Sequence, residues 1–106
     1  MTELAAGPSD PGTVVMELGA DVGALVLYTP AALNGSEIEI SRDDDPGAAR
    51  THSQVRPRHM PTVTRYAAVY PGLHAGWYTI WKDELCPAAT ATITGGQVTS
   101  CRWPEP

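Results

Sequence analysis

The stretch Asp21-Val22-Gly23-Ala24-Leu25-Val26-Leu27-Tyr28-Thr29 decides the fold class. Val22, Ala24, Val26 and Tyr28 fall on one side of an extended chain, and Leu25 and Leu27 fall on the other. Both faces are therefore apolar, as those of a central strand would be. Its length and β-branched residues favour a strand over a buried helix. Downstream, Pro30 to Gly35 turns the chain, with room for one helical turn at Ala31-Ala32-Leu33. Glu37-Ile38-Glu39-Ile40 alternates strictly, which puts both isoleucines inward and both glutamates in water. Asp43 to Gly47 is a loop, and residues 49–60 form an irregular polar edge strand, because Pro57 cannot donate to a ladder. Val63 to Tyr70 and Trp77 to Trp81 follow as strands. Upstream, Gly12 to Leu18 alternates as one more strand, and residues 1–11 form a flexible N-terminal tail.

The composition agrees. Ten glycines and ten prolines punctuate the 106 residues too often for long helices. Leu, Ile and Val total 19 residues, Phe is missing, and fourteen alanines, four tyrosines and three tryptophans supply the remaining apolar surface. A formal net charge of −5 is too small for a disordered chain of this kind. One all-β domain over 12–103, a sandwich of seven to eight antiparallel strands, is the expected architecture. No apolar run approaches the roughly 20 residues of a membrane span. The N-terminal stretch lacks the pattern of a signal peptide, so the expected location is cytoplasmic.

The chain closes on an expected hairpin, Ala88 to Thr94 and Gln97 to Trp103, joined by Gly95-Gly96. In a two-residue hairpin Ile93 faces Val98, Ala91 faces Ser100 and Thr90 faces Cys101. Cys86 then lies about 13 Å from Cys101, four strand residues away. A disulfide needs Cα atoms within about 7 Å. Both cysteines are therefore expected as free thiols, in keeping with a reducing compartment.

At Val69-Tyr70-Pro71-Gly72-Leu73-His74-Ala75-Gly76-Trp77-Tyr78-Thr79-Ile80 the chain resembles the signature of prealbumin-like (Ig-like) sandwiches. These include transthyretin, Cna-B repeats and the regulatory-like domain of carboxypeptidases. The resemblance implies that Leu73 plugs the end of the sandwich, that Gly76 allows a turn closed to a side chain, and that Tyr78 enters the core with its hydroxyl on a backbone group. It implies an adhesive, structural or accessory module more than an enzyme. The Tyr-Arg-Gly-Ser terminus of the urate-derivative hydrolases has no counterpart in Arg102-Trp103-Pro104-Glu105-Pro106. Lys82, the single lysine, sits in a surface turn beside Asp83 and Glu84 and does not suit an isopeptide bond. The whole chain is also similar to short bacterial proteins labelled phospholipases. The residues do not support that chemistry: no Gly-x-Ser-x-Gly elbow occurs, and Ser53 and His52, as strand neighbours, point to opposite faces.

Three groups of residues remain as candidates. His52, His59 and His74 supply three imidazoles for an open zinc or copper site, with Met60 favouring cuprous copper. Their spacing is not diagnostic, and surface histidines are the plain alternative. Charge is asymmetric: Pro46 to Lys82 carries Arg50, Arg56, Arg58, Arg65 and Lys82 with no acid, whereas the rest holds all twelve acids against Arg42 and Arg102. The acidic total and the lack of interleaved aromatics argue against nucleic acid. An anionic ligand or a partner protein with an acidic patch fits better, against the plain alternative of an edge blunted by charge. Finally, Trp77 and Trp81 share the face opposite Tyr78, roughly 13 Å apart. They form a platform for a glycan, a protein or a second copy of the chain, unless another segment covers them. The leading expectation is a non-catalytic, homodimeric or partner-binding module using Arg50, Arg56, Arg58, Trp77 and Trp81. A histidine-based copper or zinc protein is the alternative, and a hydrolase the third.

Overall fold

The computed structural model describes residues 20–45, 47 and 49–104. The expected tail at 1–11 and the expected strand at Gly12 to Leu18 lie outside them. The described chain runs β1 (Val22–Thr29), a 3-10 turn (Ala31–Leu33), β2 (Glu37–Arg42), β3 (Thr51–Gln54), β4 (Arg56–His59), β5 (Thr64–His74), β6 (Gly76–Trp81), β7 (Pro87–Ile93) and β8 (Val98–Arg102). The strands form two four-stranded sheets, ordered β4-β5-β1-β8 and β3-β2-β6-β7. The all-β reading therefore holds, and among the described residues no helix is long and apolar enough to cross a membrane.

Each sheet contributes its inward row to one core. Leu25, Leu27, Ala68 and Tyr70 come from the first sheet; Ile38, Ile40, Tyr78, Ile80, Ala91 and Ile93 come from the second. Each leucine and isoleucine among them contributes about 1.5–3 kcal/mol on burial. Tyr70 also ties the sheets together, its hydroxyl donating to the Ile38 carbonyl at 2.8 Å. Burial pushes that phenol above its ordinary pKa. β1 is central as expected, flanked by β5 and β8. Tyr78 is buried and its hydroxyl donates to the His74 carbonyl at 2.8 Å. Leu73 is buried at the end of β5. Gly76 has φ +145°, a backbone conformation that residues with a side chain rarely adopt, and the Arg42 guanidinium lies 3.1 Å from where a Cβ would sit. Glu37 is exposed, but Glu39 is partly covered, because Arg50 Nη1 donates to its carboxylate at 2.9 Å.

Three expectations are corrected. The closing hairpin does not form: β7 pairs with β6, while β8 crosses to the other sheet and runs parallel to β1. The cause is the docking of the Gly95-Gly96 turn on the start of β1. Gly96 N donates to the Val22 carbonyl at 2.8 Å, and Ala24 N donates to Gln97 at 3.0 Å. The turn lies so close that a Cβ on Gly23 would sit 2.5 Å from the Thr94 carbonyl oxygen. Held there, the chain satisfies the open edge of β1 rather than folding back on β7. One pair in the sandwich is therefore parallel. Cys101 faces the core beside Leu27 instead of facing Thr90, and both cysteines are free.

The single edge strand over 49–60 is two strands on different sheets. Val55 lies between them fully buried, with its N–H on the Ser36 carbonyl at 2.9 Å. Pulling that one apolar residue into the core sends β3 to one sheet edge and β4 to the other. The third correction concerns β5, which continues past Tyr70 to His74 and passes Gly72 at φ +70°.

Candidate functional site

Strand pairing brings together side chains that are distant in sequence. On β1, Leu25 and Leu27 point into the core, so Ala24, Val26 and Tyr28 point outward. Paired residues share a face, and Tyr28 pairs with Ala67 on one side and Arg102 on the other. Ala67 in turn pairs with Arg56, and one step along the sheet Arg58 pairs with Arg65. The outer face of the first sheet thus carries Arg56, Arg58, Arg65 and Arg102 around Tyr28. Arg56 and Arg102 are separated by three strand spacings, about 14 Å.

The chemistry of this face is one-sided. The Arg65 guanidinium lies 5.4 Å from the centre of the Tyr28 ring, a cation–π contact. Arg58 Nε is buried without a hydrogen-bond acceptor. Among the described residues, the arginine ion pairs are Arg42 with Asp44 and Arg50 with Glu39, so no described carboxylate answers these four cations. Like charges directly opposite one another, as Arg58 and Arg65 are, destabilise a sheet.

The second sheet presents a different outer face. Ile38 and Ile40 point inward, so Glu37, Glu39 and Ser41 point outward beside Trp77, Thr79 and Trp81. Trp77 is 60% exposed. Trp81 is half-buried, its Nε1 donating to Ser41 Oγ at 2.9 Å and the Arg50 guanidinium stacked over its ring at 3.9 Å. Arg50 also donates to the Glu84 carbonyl at 2.8 Å. An open pocket of about 280 Å³ beside this stack is lined by Glu37, Glu39, Trp81, Lys82, Asp83 and Glu84. The Asp83 carboxylate accepts the N–H groups of Leu85 and Cys86, which hold it below the ordinary carboxylate range.

The residues singled out from sequence therefore divide. Arg56 and Arg58 share one face; Arg50 belongs to the other, where it clamps Trp81 to Glu39. Trp77 and Trp81 share the outer face as expected, although Arg50 covers the second ring. The histidines are not brought together. His52 is exposed with Nε2 4.0 Å from Glu37, and His59 Nδ1 lies 3.1 Å from Thr64 Oγ1. His74 is ten strand residues beyond Thr64, about 30 Å away. Among the described residues no three His, Cys, Asp or Glu side chains are placed to hold a metal. Ser53 faces inward, where its hydroxyl accepts the Val69 N–H at 3.2 Å, while His52 faces out.

Tyr28 and Arg102 were not candidates in the sequence, and Arg65 entered only as part of the basic segment. Arg102 was hidden by the expected hairpin, which kept it away from β1. The signal for it was the reading of β1 as a central strand, which leaves a second edge to be paired. No protein-family model, curated protein or solved structure matches the chain.

Proposed function

We propose that the protein is a non-catalytic, prealbumin-like interaction module that binds an acidic segment of a partner protein on the outer face of the β4-β5-β1-β8 sheet. The observation that carries this reading is the set of four arginines around Tyr28 with no described counter-ion, one of them with a buried, unanswered N–H. A buried donor without a partner costs about 1–3 kcal/mol. A carboxylate arriving from outside meets the exposed guanidinium groups of this face and relieves the opposition of Arg58 and Arg65. Tyrosine and arginine are also the side chains that dominate interface energetics. The prealbumin-like assignment is supported by the local geometry of Leu73, Gly76 and Tyr78, within a sandwich of eight described strands. Two free thiols fit work in the reducing cytoplasm.

The test is a titration with a fluorescent glutamate-rich peptide, with a lysine-rich peptide of equal length as control. The acidic peptide binds and the control does not. Affinity falls as salt is raised to about 1 M, where screening acts over about 3 Å. Arg56→Glu with Arg65→Glu abolishes binding while leaving the melting curve nearly intact, since both side chains are exposed. Binding that ignores both salt and charge reversal overturns the proposal, and so does unfolding of the double variant.

A further inference from the structure

The chain carries on its other sheet what the arginine face lacks. Four carboxylate residues, Glu37, Glu39, Asp83 and Glu84, line the pocket on the Trp81 side, against Lys82 and the neighbouring Arg50. That pocket already accommodates a guanidinium at its edge: Arg50 stacks on the indole and pairs with Glu39. The carboxylates of Glu37 and Glu84 are left over from this pairing, and the space beside them is open. Trp77, 60% exposed on the same face, adds an apolar contact of the kind that marks an interface.

We infer that the acidic partner is a second copy of the chain, whose Glu37/Glu39/Glu84 pocket receives the arginines of the Arg56/Arg58/Arg65/Arg102 face. This rests on the reading of the arginine face above. The two surfaces belong to opposite sheets of one sandwich, so the contact is head-to-tail. A head-to-tail contact leaves one binding face free at each end and continues until a ring closes or a filament grows. Complementary charge sets the register of such a contact and makes it sensitive to salt.

The test uses the full chain and two neutralised variants, Arg56→Gln with Arg65→Gln and Glu37→Gln with Glu84→Gln, each checked for fold by circular dichroism. Sedimentation velocity is run over a wide concentration range at about 0.01 M and about 1 M salt, where the Debye length is about 30 Å and about 3 Å. The unaltered chain gives a mass that grows with concentration at low salt and collapses to monomer at high salt. Each variant alone stays monomeric. An equimolar mixture of the two gives a dimer and nothing larger, because one intact face of each kind remains. A monomeric wild type at low salt overturns the inference, as does growth of either variant alone. A mixture that stays monomeric or extends beyond the dimer does the same. The glutamate-rich peptide separates the two proposals. If it binds the arginine face while the chain stays monomeric, self-association falls and the acidic-partner reading stands. If the peptide does not bind and the chain does not assemble, both fall.

Discussion

Replacing Tyr70 by Phe removes one hydroxyl and keeps the ring that fills the centre of the sandwich. Tyr70 is 1% exposed, and its hydroxyl spans the gap between the sheets to the Ile38 carbonyl at 2.8 Å. The substitution conserves ring volume, so packing changes little. What is lost is one buried hydrogen bond, at about 0.5–1.5 kcal/mol, because the Ile38 carbonyl stays in the ladder with Ser53. For a domain of this size, each kcal/mol shifts the melting temperature by about 4–8 °C. Tyr70→Phe should therefore lower the midpoint by roughly 2–12 °C. Urea unfolding followed by tryptophan fluorescence checks the same loss, with the slope unchanged because the surface exposed on unfolding is unchanged. A loss below about 0.5 kcal/mol, the size of an ordinary surface change, would refute the claim that this phenol joins the sheets.

Other perturbations probe different parts of the structure. Tyr78→Ala should cost about 3–5 kcal/mol, as large aromatic core truncations do; an unchanged melting temperature contradicts the registration of β6. Gly23→Ala drives a methyl against the Thr94 carbonyl and should cost about 1–3 kcal/mol by overpacking, and a neutral result in urea denotes a turn that is not docked on β1. Cys86, exposed, should alkylate at once near neutral pH, whereas Cys101 should react only on unfolding, read by mass spectrometry; equal labelling rates contradict its inward placement. Burial pushes the Cys101 thiol from 9.0 up to about 11. The fold thus keeps a proton that the unfolded chain loses, and stability should fall as pH rises from about 9 to about 11. A flat pH profile of stability across that window contradicts the burial.

Local chemistry made much of the fold legible. The two-sided apolar run of β1, the helical turn at Ala31–Leu33 and the alternation at Glu37 to Ile40 are each decided by residues within a few positions of one another. Tyr78 and Gly76 were anticipated through the resemblance carried by Val69 to Ile80. What sequence patterning missed were decisions made over distance. Val98 to Cys101 offers small and apolar side chains that suit a hairpin with β7 as well as a parallel ladder with β1; the docking of Gly95-Gly96 chooses between them, and alternation carries no trace of it. Val55 reads as one apolar residue in a polar edge, yet its burial splits that edge between two sheets. The candidate site suffered accordingly. Arg56 and Arg58 were visible as a basic cluster, but Arg50 is drawn away by Trp81 and Glu39, and Arg102 joins only through the parallel pair.

The central claim is that four arginines from β4, β5 and β8 form one carboxylate-binding face around Tyr28 of β1. Backbone amide shifts, recorded during titration of the non-associating Glu37→Gln, Glu84→Gln variant with the glutamate-rich peptide, test it residue by residue. The account predicts saturable shifts at Tyr28, Arg56, Arg65 and Arg102 together, with His52, Trp77 and Trp81 undisturbed. Shifts confined to the Trp77 face, or shifts at Arg56 and Arg58 with Arg102 silent, would contradict it.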